Sequence, residues 1–285
     1  MSARFQFALV VEGGAMRSVF SAGLLDGFLQ QNFRPFDLFI GVSAGAANLA
    51  AFLANMPGRN IAIFRDYALR PEFINLLRFV RGGHLIDLDW LWQIVDLEMP
   101  LNKQALANCH SSLLVCLTDL VSGQPVYKQV NTDNIEAVIK ASSALPLLYR
   151  DFPRVDGNPM TDGGVADSLP VIQAIEHGAR RIMVIRARPH DYRKRDTVFH
   201  RYIRWRLGKH SNLAATMKRR IELYDASISL IRRPPAGVSI IEVCPATDFQ
   251  AGRLCRNQDI LMAGYQQGLD LTEHTIKRWT EQTTP

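Results

Sequence analysis

Phe36-Asp37-Leu38-Phe39-Ile40-Gly41-Val42-Ser43-Ala44-Gly45-Ala46 begins as a short apolar strand, Phe36 to Ile40, and ends in a glycine-flanked turn. From Ala46 to Ala54 the residues are small and apolar on every side, the pattern of a buried helix. A GxSxG turn between strand and helix holds its serine in a strained conformation and lets the hydroxyl project from the sheet edge. Gly41 and Gly45 leave room for neighbouring backbone, and the helix start directs positive backbone dipoles at charge developing there. As a bare pattern GxSxG also fits an ordinary small-residue turn; the strand and helix around it favour a nucleophile. The 21 uncharged residues from Leu38 to Gly58 are interrupted by Gly41, Ser43, Gly45, Asn48, Asn55 and Pro57, so strand, turn and helix explain them better than a membrane span.

Outward from this turn, strands alternate with helices. Phe5 to Val11 reads as a buried strand running into Glu12-Gly13-Gly14-Ala15-Met16-Arg17-Ser18, after which Val19, Phe20, Leu24, Leu25, Phe28 and Leu29 recur at helical spacing. From Arg59 to Asn108 the pattern is mostly helical and says little beyond packing. Leu113 to Leu117 and Val126 to Val130 read as strands joined at Ser122-Gly123-Gln124-Pro125; Thr132 to Ser142 reads as a helix capped by Asn131 or Thr132. Arg154 to Thr161 is a hairpin candidate around Asp156-Gly157-Asn158, Pro170 to His177 a helix closed by Gly178, and Arg181 to Ala187 another buried strand. A helical pattern from Asn212 to Ile231, a strand from Val238 to Val243 and one closing helix from Asn257 to Trp279 complete the order. This alternation predicts an α/β fold with a central, mainly parallel sheet covered on both faces. Pro234-Pro235-Ala236-Gly237 is a local linker too late to divide the chain into two domains.

With 285 residues, 47% of them hydrophobic, the chain can bury a large core, which excludes a disordered or collagen-like class. Its four cysteines, Cys109, Cys116, Cys244 and Cys255, share no CxxC spacing, so neither a disulfide scaffold nor a cysteine zinc site is expected. No HExxH, EF-hand loop or Cys/His cluster implies a metal. Met1 to Gln6 lacks the features of a secretory signal, which points to the cytoplasm. Charge is uneven: Arg186 to Arg233 carries 14 Lys and Arg against four acids, while the whole chain carries only +6. Tyr192, Phe199, Tyr202, Trp205 and Leu207 are interleaved there with Arg193, Lys194, Arg195, Arg201, Arg204, Arg206 and Lys209. Such a segment fits peripheral contact with an anionic membrane or, equally, a solvated helix face; nucleic acid is not expected, since no reader motif accompanies the charge.

A serine nucleophile needs a base beside it. An α/β-hydrolase would place its elbow after several strands and follow it with an acid and a late histidine, but here the elbow ends the second strand. His274 is late but sits at helical spacing without a turn motif, and His84, His110, His177, His190, His200 and His210 read as surface or structural residues. That leaves a carboxylate. Asp162 precedes Gly163-Gly164, a context that projects a side chain into a cleft, although spacing alone favours an Asp-Gly turn residue. Backbone N–H groups at Gly13 and Gly14 stand at a helix start, where they bind an oxyanion or a phosphate. A dinucleotide loop competes for that segment, weakened because Gly13-Gly14-Ala15-Met16-Arg17-Ser18 is not GxGxxG.

Taken in order, the glycine-rich loop with its basic residue, the GxSxG elbow and the Asp-Gly-Gly motif resemble the patatin-like phospholipase family. The match runs from about Phe5 to Ala187 and includes Ala141-Ser142-Ser143-Ala144-Leu145-Pro146. The resemblance implies a patatin-like three-layer α/β/α fold, with residues 1–285 as a single domain: a motif-bearing core over about 5–187, a basic helical segment over about 188–233, and a closing strand and helix over 238–282. It implies a catalytic dyad of Ser43 and Asp162 without histidine, an oxyanion hole on Gly13, Gly14 and Ala15, and Arg17 as the family's basic loop residue. The implied substrate is a lipid acyl ester, cleaved through an acyl-enzyme without cofactor. Ala15 stands where the family usually has a third glycine, and Ser18 where a glycine commonly follows the basic residue. A methyl group at Ala15 fits a negative φ and is strained at a positive one. Rival readings are a non-catalytic lipid- or anion-binding protein on the same fold, and an acyltransferase or small-ester esterase using the same dyad.

Overall fold

The computed structural model describes residues 5–208 and 211–281, the side chains of 199, 200 and 211 excepted. Residues 1–4 of the leader reading, Lys209, His210, and the side chains of Phe199 and His200 lie outside the described residues. Among those described, the strands are Phe7–Val11 (β1), Leu38–Val42 (β2), Ser112–Asp119 (β3), Pro125–Gln129 (β4), Arg154–Val155 (β5), Asn158–Asp162 (β6), Arg181–Ile185 (β7) and Ser239–Val243 (β8). β2 and β7 bury every residue, and β1 all but Phe7, because a strand with parallel neighbours and helices on both faces meets no water. The strand order is β5-β6-β3-β2-β1-β7-β8, with β4 also on β3. β3, β2, β1, β7 and β8 run parallel, and β4 and β6 are antiparallel to β3.

Alternate residues of each strand serve opposite faces. Leu9, Val11 and Phe39 pack under Val19–Gln30 (α1), Ala44–Leu53 (α2) and the helix Ile135–Ser142. Ala8, Val10, Leu38 and Ile40 pack under the helices Val171–Glu176 and Ser211–Arg232. The result is a three-layer α/β/α fold with a mainly parallel sheet, in agreement with the sequence. The hairpin between β5 and β6 also forms where expected, with Asp156 and Gly157 both at positive φ.

Two expectations need correction. The single closing helix is two, Gln258–Asp270 and Thr272–Glu281. The chain turns at Leu271 so that Thr272, Thr275 and Trp279 face inwards, with Trp279 against the rings of Phe7 and Phe36; tertiary burial outweighs a continuous helical pattern. The helix expected from Thr132 starts at Ile135, because the Asn131 side chain accepts the N–H groups of Asp133 and Asn134 in a preceding turn. Among the described residues no helix is long and apolar enough to cross a membrane.

Candidate active site

Sheet register brings Ser43 and Asp162 together. β2 pairs with β3 as far as Val42 opposite Cys116, and the next residue of β3, Leu117, pairs with Asp162 of β6. Leu117 also pairs with Val126 of β4, while Leu114, Val115 and Cys116 pair with both β2 and β4. β4 therefore fills one edge of β3, and β6 takes the other edge at the point where β2 leaves it. Ser43, next after Val42, is thereby level with Asp162.

Ser43 lies at φ 53° and ψ −128°, an elbow whose strain is about 1–3 kcal/mol. Its surroundings hold it there. A Cβ on Gly41 would lie 2.5 Å from Ala46 Cα, and one on Gly45 would lie 2.6 Å from Val11 O, so only glycine fits either side of the turn. The Ser43 N–H donates to Ser142 Oγ at 2.8 Å, and the Ser142 hydroxyl donates to Cys116 O at 2.6 Å. The Ser43 carbonyl accepts the N–H groups of Ala46 and Ala47.

Asp162 is 4% exposed, and burial raises its pKa above the ordinary carboxylate value. The neighbouring Ser43 hydroxyl, a hydrogen bond from the Gly164 N–H at 2.7 Å, and the charges of Arg253 and Lys194 oppose that rise. The Asp162 N–H donates to Ala144 O, and its carbonyl accepts from Thr118 Oγ1 at 2.8 Å, which fixes the backbone carrying the carboxylate. A carboxylate of raised proton affinity in contact with a serine hydroxyl has the position and the basicity to take its proton.

The Gly13 loop closes the same space. Its ends are fastened by the Glu12 N–H to Ile185 O, the Ala187 N–H to Glu12 Oε2 at 2.8 Å, and the Met16 N–H to Arg253 O. A Cβ on Gly13 would lie 2.6 Å from Val42 O and 3.0 Å from Ser43 Cβ, so the loop touches the elbow. Among the described residues, the N–H groups of Gly13, Gly14 and Ala15 have no protein acceptor. Ala15 adopts φ 50°, the strained alternative for a residue with a methyl group, at about 1–2 kcal/mol. Ser18 has φ −70° and needs no glycine.

Ser43 stands where two clefts meet. One, of about 120 Å³, is walled by Ile63, Phe64, Phe73, Leu91, Trp92 and Val95. The segment from Arg59 to Asn108 thus shapes a cavity as well as packing, which corrects its sequence reading. The other cleft, of about 80 Å³, holds Gly13, Gly14, Ala15 and Asp162 together with Arg17, Arg188, Lys194, Arg220 and Arg253.

The basic segment is therefore not one surface. Arg186 is wholly buried against Glu242 and Tyr224, at 2.6 and 2.9 Å. Arg188, Lys194 and Arg220 line the cleft, and Val198, Tyr202 and Trp205 are exposed. Sequence reasoning missed the cleft-lining role of these cations and of Arg253. A signal existed for Arg220: Leu213, Met217, Arg220, Tyr224, Ile228 and Ile231 form one helical stripe, and only Arg220 on it is charged. No described histidine side chain lines either cleft. Among the described residues His84, Asp89 and Asp151 form one group of metal-type donors, but Asp89 is held by Lys140 and Tyr149 and the group lies in neither cleft.

Comparison with known proteins gives the family. The model of the family described as patatin-like phospholipase matches residues 9–175, and a second, described as a domain of unknown function (DUF6363), matches residues 210–283. The uncharacterized protein YjjU of Escherichia coli (strain K12) is 35% identical over 294 aligned residues, covering 95% of this chain and 82% of YjjU. Among solved structures, VipD from Legionella pneumophila aligns at TM-score 0.45 and 14% identity over 94% of this chain and 67% of its own. The type III effector ExoU aligns at TM-score 0.32 and 13% identity over 75% of this chain and 53% of its own. With the matched model spanning more than half of its length, the chain belongs to the patatin-like phospholipase family.

Proposed function

We propose that the protein is a serine-dependent lipid acyl hydrolase of phospholipase or lysophospholipase type, a carboxylic ester hydrolase working through a Ser43–Asp162 dyad. The observation that carries this reading is the register that sets a buried carboxylate beside the elbow serine, at the same cleft. Ser43 Oγ attacks the ester carbonyl carbon while its proton passes to Asp162. The N–H groups of Gly13, Gly14 and Ala15 receive the oxyanion, each such donor lowering the barrier by about 3–4 kcal/mol. The bond from carbon to the alcohol oxygen then breaks, the alcohol leaves with the proton held by Asp162, and Ser43 carries the acyl group. Water gives a proton to Asp162 as its oxygen attacks the acyl carbon; Ser43 departs with that proton and the free acid is released. The apolar cleft accommodates the acyl chain, and residues 1–285 act as one domain.

Labelling with a fluorophosphonate serine probe, followed by peptide mapping, tests this. The expected result is modification at Ser43 in the wild type, none in Ser43→Ala and slow modification in Asp162→Asn. Folded protein that is never modified at Ser43 refutes the dyad and favours a lipid- or anion-binding protein on the same fold. Transfer of the acyl group to added alcohols in preference to water would assign an acyltransferase. Peripheral membrane contact belongs to the same proposal, because the helix Val198–Arg206 exposes Trp205, at 72%, next to the exposed Arg201 and Arg206. Sedimentation with anionic vesicles is expected to weaken with salt and in Trp205→Ala; binding that ignores both removes this contact.

A further inference from the structure

The cationic cleft holds more positive charge than the dyad uses. Arg17, Arg188, Lys194, Arg220 and Arg253 line it, and the carboxylates among its lining residues are Glu12 and Asp162. Among the described residues, none of the four guanidinium groups forms an ion pair or a side-chain hydrogen bond; Lys194 Nζ donates to Ser168 Oγ at 2.9 Å. Arg17 is only 6% exposed and its Nε is buried without a partner, as is one terminal nitrogen of Arg220. Outside the cleft, Arg186 is paired with Glu242, Arg78 with Asp87 and Arg204 with Asp196, while the buried Arg181, also without a hydrogen bond, stacks on the Trp279 ring at 4.0 Å. A buried guanidinium without a partner is costly, and phosphate oxygens satisfy its planar fork with short, charge-assisted hydrogen bonds.

We infer that this cleft receives the phosphate of the lipid substrate's headgroup and selects a terminal phosphomonoester. The inference rests on the hydrolase reading above and deepens it. A phosphomonoester brings up to two negative charges to five cations, whereas a choline or ethanolamine headgroup would bring its own cation among them. The aromatic rings lining the cleft already carry cations of the protein: Arg188 lies over the Tyr192 ring at 4.2 Å and Lys194 over the Tyr224 ring at 4.5 Å. Burial and neighbouring positive charge hold Arg17 down to about 9, Arg220 to about 10 and Lys194 to about 7, the crowding that an incoming dianion relieves. Arg220 and Arg253 both lie within the 210–283 region matched as a domain of unknown function, which thereby gains a role in reading the headgroup.

The test compares 1-acylglycerol 3-phosphate with 1-acylglycerol of the same acyl chain. The wild type is expected to favour the phosphate-bearing ester by about tenfold or more in kcat/KM, the gain residing in KM. Arg220→Gln and Arg253→Gln are expected to remove most of that ratio, and Arg220→Lys to retain part of it. Calorimetric titration of Ser43→Ala with glycerol 3-phosphate and with inorganic phosphate separates the sources. Glycerol 3-phosphate binding tighter than inorganic phosphate, and lost when Arg220→Gln is added, supports a headgroup site. Equal binding of both anions with no preference between the two esters assigns the cleft to free phosphate and overturns the inference. A ratio near one without binding of either anion overturns it as well, while leaving the hydrolase reading intact. If neither ester is cleaved and the serine probe also fails, the hydrolase reading falls, and the calorimetry still decides whether the cations hold a phosphate.

Discussion

Ser142→Ala removes one hydroxyl from the support of the elbow. Ser142 is wholly buried, accepts the Ser43 N–H at 2.8 Å and donates to Cys116 O at 2.6 Å. Alanine leaves the Ser43 N–H buried without an acceptor, at about 1–3 kcal/mol, and forfeits the second bond, at about 1 kcal/mol. The loss of stability is therefore about 2–4 kcal/mol. An unfolding entropy of about 2.1 cal/mol/K per residue gives about 0.6 kcal/mol/K for this chain, so Tm should fall by about 3–7 °C. The same substitution frees the strained backbone at Ser43, and a displacement of about 1 Å at a reacting atom costs up to a hundredfold in rate. Thermal unfolding by circular dichroism and the rate of fluorophosphonate labelling measure the two effects. Ser143→Ala is the internal control: Ser143 Oγ donates to Ile139 O within its own helix, and its loss should move Tm by about 1 °C or less. A Ser142→Ala protein that melts within about 1 °C of wild type and is labelled at the wild-type rate would refute this account of the elbow.

Positive φ at Ala15 predicts the stability order glycine, alanine, valine at that position. Glycine relieves about 1–2 kcal/mol of strain but returns up to about 1 kcal/mol through the freedom of its unfolded chain, so Ala15→Gly should gain no more than about 3 °C and Ala15→Val should lose. Asp162→Asn should stabilise the protein in a pH-dependent way. The raised folded pKa means that the folded state keeps this proton to higher pH than the unfolded chain, so wild-type stability declines as pH rises from the ordinary Asp value of about 3.9 through the raised one. The Tm advantage of the variant should therefore be present at pH 8 and shrink towards pH 4; an advantage that grows on acidification contradicts the raised pKa. The acid limb of ester hydrolysis should likewise lie above the ordinary carboxylate range, since the base must be unprotonated.

The central strands were legible because parallel strands covered on both faces leave near-continuous apolar runs, as in Phe7–Val11 and Leu38–Val42. The proximity of Ser43 and Asp162 was legible only through the family resemblance, because the pairing that brings them level involves three strands distant in sequence. The sign of φ at Ala15 was posed by the sequence as a choice, and the fastening of the loop at Glu12 and Met16 decides it. The break at Leu271 was hidden because both flanking helices continue one periodic pattern, and only the burial of Trp279 against Phe7 and Phe36 requires the turn. The two clefts were hidden for a related reason. Their apolar and cationic walls come from segments with no chemical motif, and convergence of side chains across the sheet edge leaves no trace in local spacing.

Arg220 is the exception, and it separates a structural role from a ligand role. It occupies a position on the inward stripe of the helix Ser211–Arg232 that apolar residues fill above and below, between Met217 and Tyr224. Arg186 is held by Glu242 and Arg181 lies on the Trp279 ring, whereas Arg220 has no ion-pair partner among the described residues and one of its terminal nitrogens is buried without a hydrogen bond. Replacing an unpaired, desolvated charge by an apolar side chain of similar length commonly stabilises a protein by about 1–3 kcal/mol. Arg220→Met should therefore raise Tm by about 2–5 °C when no anion is present. Glycerol 3-phosphate should raise the Tm of Ser43→Ala protein, and adding Arg220→Met should abolish that rise. If Arg220 is structural, both signs reverse: the methionine variant melts lower, and the anion shifts both proteins equally. A side chain that weakens the empty fold and strengthens the occupied one is retained for what it binds.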